Sequence, residues 1–365
     1  MALLLTATFL VALLFCADSA PWIARIARRR GFLDLPGPRK IHTEPVPYGG
    51  GIAVALGVLL TVGGGLLAAW LHVRHGWFAN FAVSAHAPGV LSKLPTLAVY
   101  GAGSIAILLV GLADDRWKLS PGTKLAAQFL VALGTVAGGD RLSLFWERSL
   151  AGDLIGGSIT VLWIVGITNA FNLLDHMDGL SAGTALLVSA AFGTIAVLTG
   201  QVFLAAAFAA LAGSCLGFLL FNFPPARIFL GDAGSLFIGY WLSVLTVSFT
   251  FYTSSRPIWA YAVPLVVFAV PIFDTGRVVL LRLRERRPIF QGDTNHVAHR
   301  LVALGMSRRG AVLTVYALTL VTGLGAVLLY QVDAVGAGII LSQLAVVFGI
   351  ITLLEVAGRN HGRTD

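Results

Sequence analysis

Long apolar segments recur along this sequence, and they constrain its fold more than any other feature. Crossing the hydrocarbon core of a bilayer, roughly 30 Å thick, takes an α-helix of about 20 predominantly apolar residues. Such windows occur at residues 2–23, 49–71, 96–113, 124–139, 154–174, 180–200, 202–222, 233–252, 258–281, 311–331 and 335–357. Only 12% of the 365 residues are charged, and 57% are hydrophobic, unlike a soluble domain. We therefore predict a single all-α, polytopic membrane domain over residues 1–365, with eleven transmembrane helices, or ten if the weak fourth window does not span.

Basic residues are unevenly distributed among the segments that connect these windows. If the N-terminus lies outside, twenty Lys and Arg residues fall on the inner side and five on the outer side. Because cytoplasmic loops carry the excess of Lys and Arg, this bias predicts an outside N-terminus in a bacterial-type inner membrane. The formal charge of +8 then belongs mostly to the inner face, so it argues for anionic lipid and against nucleic-acid binding. Cys16 and Cys215 are isolated and offer neither a disulfide framework nor metal-ligand spacing.

Polar groups cluster in four of the predicted inner loops. The third helix is followed by GLADDRWKLSPGTK, the fifth by NAFNLLDHMDGLSAG, the seventh by FNFPPARIFLGDAGS and the ninth by RLRERRPIFQGDTNHVAHRL. Carboxylates and amides buried in lipid cost several kcal/mol unless they are paired or hydrated. Their collection at one face predicts an active site formed by cytoplasmic loops.

Three of these loops carry candidate metal ligands and catalytic carboxylates. Asp114 and Asp115 are adjacent, and two like charges repel unless a cation lies nearby. A metal or phosphate-transfer role explains them, and the alternative is a solvated loop paired with its own basic residues. Asp232 lies among small residues that let backbone amides approach an anion at a helix start, although it could instead be a helix cap. Asn172 and Asp232 are oxygen donors of the kind that Mg²⁺ accepts.

The fourth loop carries two histidines three residues apart, His296 and His299, which one helical turn could present on one face. There is no nearby cysteine and no matching third histidine for zinc. With Arg300 beside them, anion binding is the favoured interpretation.

In their order along the chain, these loops resemble those of the polyprenyl-phosphate N-acetylhexosamine-1-phosphate transferase family, which includes the phospho-MurNAc-pentapeptide translocases. The similarity spans residues 34–301, from DLPGPRKIHTEPVPYGGG through GLADDRWKLSPGTKLAAQ and NAFNLLDHMDGLSAG to DTNHVAHRL. The resemblance implies Mg²⁺, with Mn²⁺ as the alternative ion, and transfer of a sugar 1-phosphate from a UDP-sugar to a polyprenyl phosphate, releasing UMP. The RKIHxxPxPxGG pattern resembles the branch that uses UDP-GlcNAc-type donors. We expect undecaprenyl phosphate or a related lipid as acceptor and a product that initiates cell-envelope polysaccharide synthesis, such as lipopolysaccharide.

The resemblance also implies roles for individual residues. Asp232 and Asn172 match the metal ligands, Asp114 matches the proposed base toward the lipid phosphate, and Asp115 holds the adjacent acidic position. The remaining matches are donor and nucleotide positions at Asp178, Asn222 and His42, and phosphate positions at His296, His299, Arg300 and Lys124. Three more polar residues, all in the NAFNLLDHMDGLSAG motif, carry no assigned role: Asn169, Asp175 and His176.

Two positions depart from the family pattern. Ala298 stands where the family commonly has a histidine, which could weaken pyrophosphate binding or signal an altered sugar specificity. His176 replaces a common glycine, either as a substitute imidazole or, as favoured here, as a solvent-exposed substitution.

Several alternatives stay open at this point. They are a phospho-MurNAc-pentapeptide transferase of peptidoglycan synthesis, a transporter or lipid flippase, and an inactive scaffold relative. Transport sites usually place ionisable groups near the bilayer midplane, whereas these carboxylates lie at predicted helix ends. A homodimer is among the expected assemblies.

Overall fold

A computed structural model describes residues 1–36, 44–77, 82–139, 141–142, 150–251, 258–286, 288 and 296–361. Regular structure in these ranges is almost entirely helical. The α-helices are α1 Ala2–Arg29, α2 Gly50–His75, α3 Ala87–Ser92, α4 Leu94–Trp117, α5 Pro121–Gly138, α6 Leu150–Leu174, α7 Leu180–Leu198, α8 Val202–Asn222, α9 Gly231–Val247, α10 Val263–Val267, α11 Ala269–Arg284, α12 Val297–Ala303, α13 Arg308–Leu329 and α14 Ala334–His361. Two short antiparallel strands, β1 Leu33–Asp34 and β2 Val46–Pro47, pair Leu33 with Pro47 and Asp34 with Val46.

Eight of the described helices are long and apolar enough to cross a membrane: α1, α2, α4, α6, α7, α8, α13 and α14. A ninth span results if Ile258–Val267 and Ala269–Arg284, which meet at a bend of 69°, are one broken segment. The predicted windows 124–139 and 233–252 also form helices, α5 and α9, but both fall outside that set. Helix α9 has only 17 residues, and α5, with 18 residues that include Lys124 and Gln128, is less apolar. The all-α, multi-pass membrane architecture is confirmed, whereas the count of eleven spans stays a prediction.

The chain divides into two compact units, Met1–Phe249 and Thr250–Asp365. The expectation of a single domain stays a prediction. In the first unit α9 is central, because its residues from Ala233 to Val247 are all buried and it packs against α2, α4 and α6.

Polar side chains of α9 are satisfied by neighbouring helices. The Tyr240 hydroxyl lies 2.7 Å from Thr135 Oγ1 on α5, and Trp163 Nε1 on α6 donates to Thr246 Oγ1 at 3.0 Å. Because unpaired polar groups are costly in an apolar interior, these bonds fix the faces that α5 and α6 present to α9.

Near its C-terminal end, α4 approaches the start of α9 closely through Gly111. A Cβ at this position would overlap the backbone of Asp232 and Ala233, so a residue with a side chain would push the helices apart. Since Asp114 and Asp115 follow within one turn, this contact sets both carboxylates beside the first turn of α9.

Candidate active site

Four helices each contribute one polar side chain to a cluster at the start of α9. Lys124 of α5 forms an ion pair with Asp232 of α9 and a second one with Asp114 of α4, at 3.1 Å from Nζ to Oδ2. Asn172 of α6 donates from Nδ2 to Asp232 Oδ1 at 2.9 Å. These sequence-predicted residues, separated by up to 118 positions in the chain, therefore form one site. Their assigned roles stay predictions.

Asp115 faces the backbone rather than the open side of the cluster. Its Oδ1 accepts from the N–H of Asp232 at 2.8 Å, and its Oδ2 accepts from the N–H of Ala233 at 3.2 Å. These are the free amides at the N-terminus of α9, where a carboxylate is favoured by hydrogen bonding and by the helix dipole. The anion that the GDAGS segment was expected to meet is thus Asp115 itself.

Gly231 makes this capping arrangement feasible. Its φ of +71° lies in the left-handed region that favours glycine, and a Cβ there would overlap the Asp115 carboxylate. The GDAGS segment therefore serves to bring α9 onto Asp115 and to hold Asp232 beside Lys124.

Asn172 is held by a second contact, since its Nδ2 also lies 2.9 Å from the hydroxyl of Ser235, which in turn donates to Gly231 O at 3.1 Å. One turn deeper in the bundle, Asn169 donates from Nδ2 to Gln128 Oε1 and to Val165 O. Asn169 thus supports the site from behind rather than lining it with Asn172.

The donor set of the cluster fits a divalent cation. Mg²⁺ prefers carboxylate oxygens, with waters and substrate phosphates completing its shell. Asp114 and Asp232 both place an oxygen on the single ammonium of Lys124, so one positive charge is already shared by two carboxylates. The amide nitrogen of Asn172, rather than its oxygen, faces Asp232, so its service as a metal ligand would require the amide to turn.

The loop between α6 and α7 contains three of the predicted residues. Burial, together with the negative charges of Asp232, Asp115 and Asp178, raises the pKa of Asp175 well above its ordinary value. Asp178 Oδ2 accepts from the N–H of Ala226 at 2.9 Å, which ties this loop to the one before α9. Both ring nitrogens of His176 are shielded from solvent, so its interpretation as a solvent-exposed substitution is wrong.

Asn222 uses both ends of its amide within the protein. Its Oδ1 accepts from the N–H of Gly179 at 2.8 Å, and its Nδ2 donates to Ile228 O at 2.9 Å. The side chain is buried. Asn222 thus shapes the two loops beside the site, and a direct contact with a nucleoside stays a prediction.

In the second unit the histidine motif surrounds a buried carboxylate on α11. His296 Nδ1 lies 2.7 Å from Asp274 Oδ2, and the N–H of Val297 donates to Asp274 Oδ1 at 2.7 Å. His296 and Asp274 are buried, whereas His299 and Arg300 are half-buried on α12. The departure at Ala298 is buried as well, so a histidine there would meet packed protein rather than solvent. Phosphate binding by this motif stays a prediction.

The first family motif is joined to the start of α9 through main-chain hydrogen bonds. Phe229 N–H donates to Pro47 O at 2.9 Å, Gly50 N–H donates to Phe229 O at 3.0 Å, and Gly51 N–H donates to Leu230 O at 3.0 Å. The base of the β1–β2 hairpin therefore lies beside the segment that leads to Asp232. His42 falls between β1 and β2 in the sequence and lies outside the described residues.

Sequence reasoning missed several polar residues of the two units. Gln128, four residues after Lys124, had a detectable signal because an amide in an apolar helix needs a partner. The same signal marks Asp274, a carboxylate within the apolar stretch AVPIFDTGR. Ser235, Tyr48 and Lys118 lie in recognised motifs, but nothing in their spacing indicated the contacts that they make.

Together these features define the class of the protein: a multi-pass membrane protein whose helix ends bring two carboxylates, a lysine and an amide into one site. Residues 97–250, which carry that site, match the model of glycosyl transferase family 4. The chain belongs to the polyprenyl-phosphate N-acetylhexosamine-1-phosphate transferase family.

Its similarity to individual members extends over nearly the whole chain. It is 32% identical to a Bacillus subtilis protein named "Probable undecaprenyl-phosphate N-acetylglucosaminyl 1-phosphate transferase", over 97% of this chain and 91% of that protein. It is 31% identical to the decaprenyl-phosphate N-acetylglucosaminephosphotransferase of Mycolicibacterium smegmatis, over 93% and 85% of the two chains. An undecaprenyl-phosphate alpha-N-acetylglucosaminyl 1-phosphate transferase of Thermotoga maritima is 30% identical over 75% and 74%. These names do not favour a transporter, a scaffold or a peptidoglycan-branch enzyme.

Proposed function

We propose that this protein transfers N-acetylglucosamine 1-phosphate from UDP-N-acetylglucosamine to a polyprenyl phosphate such as undecaprenyl phosphate. The products are UMP and a lipid-pyrophosphate-linked sugar that initiates a cell-envelope polysaccharide. The observation that carries the proposal is the convergence of Asp114, Lys124, Asn172 and Asp232 in a chain whose relatives are named for this reaction.

The reaction joins two anions, so the site must stabilise negative charge without excluding either substrate. An oxygen of the lipid phosphate attacks the phosphorus that bears the sugar, and the bond from that phosphorus to the bridging oxygen of UMP breaks. UMP leaves with the electron pair of that bond. Lys124, held between Asp114 and Asp232, offsets part of the negative charge that these carboxylates would otherwise present to the phosphates.

Asp114 acts on the acceptor. A phosphate monoester is largely ionised at neutral pH, so orientation of the attacking oxygen contributes more than removal of a proton. Asp114 is suited to orientation because Leu119 N–H and Lys124 Nζ hold its two oxygens in place. A two-step route through an aspartyl-phosphate is the alternative.

We further propose that the enzyme uses Mg²⁺. Asp232 and Asn172 would hold the ion, and Asp114 belongs to the same cluster because it shares Lys124 with Asp232. When bound, such an ion neutralises charge on the donor pyrophosphate and acts as a Lewis acid. Mn²⁺ offers similar ligand preferences and is the alternative ion.

The positive-inside bias supports an outside N-terminus and an active site on the cytoplasmic face of the inner membrane. A homodimer stays a prediction, which mass measurement of the detergent-solubilised protein would test.

The proposed function is tested by incubating the purified full-length protein with undecaprenyl phosphate, MgCl₂ and one UDP-sugar at a time. UDP-N-acetylglucosamine, UDP-N-acetylgalactosamine and UDP-MurNAc-pentapeptide form the donor panel. We expect UMP release and a lipid product with the mass of pyrophosphate-linked N-acetylglucosamine, both abolished by EDTA. Product from UDP-MurNAc-pentapeptide alone would place the protein in the peptidoglycan branch, and no product from any donor would favour an inactive relative.

A further inference from the structure

Lys118 lies in the turn that follows α4, four residues after Asp114. Its backbone N–H donates to Asp114 O at 2.9 Å, and the N–H of Leu119 donates to Asp114 Oδ1 at 2.7 Å. Asp114 therefore fixes the turn from which the Lys118 side chain extends, as well as binding Lys124. Lys118 itself is exposed.

The ammonium of Lys118 lies over the ring of Tyr48, 5.8 Å from its centroid, within the range of a cation–π attraction. Tyr48 is a fixed platform, since its ring lies 5.4 Å from that of Phe32 and 6.2 Å from that of Phe229, and its hydroxyl bonds to Asp34. Burial and the charge of Asp34 raise the pKa of Tyr48, so the ring stays neutral. An otherwise flexible lysine is thus steadied beside the site.

Lys118 and Lys124 differ in whether their ammonium groups are available to bind an anion. Lys124 is shared between Asp114 and Asp232. Among the residues that the structure describes, Lys118 takes part in no ion pair, and its contact is an aromatic face that leaves the ammonium able to bind an anion. Lys118 therefore presents an uncompensated positive charge close to Asp114.

The surroundings of Lys118 indicate the level of the lipid headgroups. Trp117, the preceding residue, is 73% exposed, and exposed indoles are enriched where membrane meets water. At the corresponding end of α1, Arg25 lies over the ring of the exposed Trp22, 5.1 Å from its centroid. An anion at this level is more readily a lipid phosphate than a water-soluble nucleotide sugar.

We propose that Lys118, steadied by Tyr48, binds the phosphate of the acceptor lipid as it reaches the site and delivers it to Asp114 and Lys124. Lys118 is then a binding residue and Tyr48 a positioning residue. This inference rests on the proposed function, because it names the anchor of one of the two substrates.

The test uses the full-length protein in neutral detergent, with donor and polyprenyl phosphate varied independently. Lys118→Gln should raise KM for the acceptor about 10-fold, the value of one charge-assisted phosphate contact, while donor KM and kcat at saturating acceptor stay unchanged. Lys118→Arg should recover most of the loss. Tyr48→Leu should raise acceptor KM by about 3-fold, Tyr48→Phe by less, and neither should add to Lys118→Gln.

Arg116→Gln is the matched control, since it removes the same charge from an exposed residue two positions away. It should leave acceptor KM unchanged. Equal shifts in Arg116→Gln and Lys118→Gln would overturn the inference, as would a shift in donor KM or no shift at all.

A binding measurement keeps this inference separate from the proposed function. Titration of undecaprenyl phosphate into the wild type and Lys118→Gln, followed by tryptophan fluorescence, needs no turnover. Weaker binding to the variant supports the inference even if no donor is turned over, and equal affinity overturns it. Titration with phosphatidylglycerol distinguishes the acceptor phosphate from that of an ordinary membrane lipid. If the wild type binds both lipids with equal affinity and Lys118→Gln weakens both equally, Lys118 is a general headgroup contact, and its assignment to the acceptor is overturned.

Discussion

Two aspartates of this chain are each paired with a nitrogen-bearing side chain, one in each compact unit, and the pairs differ in how far solvent reaches them. The side chains of Asp232 and Lys124 are 28% and 17% exposed. Those of Asp274 and His296 are 2% and 5% exposed. The Asp232–Lys124 pair also contacts a second carboxylate, Asp114, and the amide of Asn172. In the Asp274–His296 pair, the second oxygen of Asp274 accepts from the backbone N–H of Val297.

This difference in solvent exposure indicates that one pair has a catalytic role and the other a structural role. A half-buried pair can exchange its partner for a substrate phosphate or a metal ion at a lower cost than a fully buried pair, because water can replace the lost contact. A buried pair cannot, because either partner left alone keeps its desolvation penalty. The Asp232 pair is therefore expected to determine catalysis, and the Asp274 pair to hold α12 on α11.

The largest effect is expected from Asp232→Ala. It removes the central carboxylate of the more exposed pair, so turnover should fall by about 10²- to 10³-fold, the loss typical of a preorganised electrostatic contact. Lys124 keeps Asp114, so the unfolding midpoint should stay close to that of the wild type. UMP release and thermal unfolding in detergent measure the two quantities.

Asp153→Ala is the control for this variant. Asp153 is also an ion-paired carboxylate, 3.7 Å from Arg141, but both side chains are about half exposed. Its removal should leave turnover unchanged. Near-normal turnover in Asp232→Ala would exclude Asp232 from the site.

Asp274→Ala should act on stability. It deprives the buried His296 ring and the Val297 N–H of their acceptor, at a cost of about 1–3 kcal/mol for each group. The unfolding midpoint should fall clearly, with a smaller fall in Asp274→Asn, which keeps one acceptor oxygen. If Asp274→Ala unfolds at the wild-type midpoint but loses activity, the comparison is reversed and the buried Asp274–His296 pair is the catalytic one.

Asp114→Asn should reduce kcat by about 10- to 100-fold with little change in donor KM. Asparagine keeps one oxygen for Leu119 N–H but loses the charge that holds Lys124. Initial rates at saturating donor and acceptor measure this effect. An unchanged kcat would remove Asp114 from the reaction.

Much of the architecture could be predicted from the sequence, because a bilayer leaves few choices to an apolar chain. Each predicted window coincides with helical structure. This includes the windows of α5, which is less apolar than the eight candidate spans, and of α9, which is shorter than they are. The bend of 69° before α11 could not be predicted, since a break of this kind depends on the neighbours that replace the missing hydrogen bonds.

The site was predictable as a set of residues but not as a set of contacts. Motif order brought Asp114, Asn172 and Asp232 to one face, and the structure places them around Lys124. Spacing could not tell Asp115 from Asp114, because helix rotation alone decides which of two adjacent carboxylates faces the amides of α9. Nor could spacing show that both the oxygen and the nitrogen of the Asn222 amide form hydrogen bonds with neighbouring loops.

Asp115→Asn is therefore the finest comparison, since it changes the same group one residue away from Asp114. Asparagine retains one acceptor for the amides of Asp232 and Ala233 and loses the negative charge at the start of α9, a change of about 1 kcal/mol. We expect a lower unfolding midpoint than that of Asp114→Asn together with a smaller loss of kcat. Measuring both variants in the same detergent decides the point: if Asp115→Asn unfolds normally but loses more kcat than Asp114→Asn, Asp115 acts on substrate and the capping bonds are incidental.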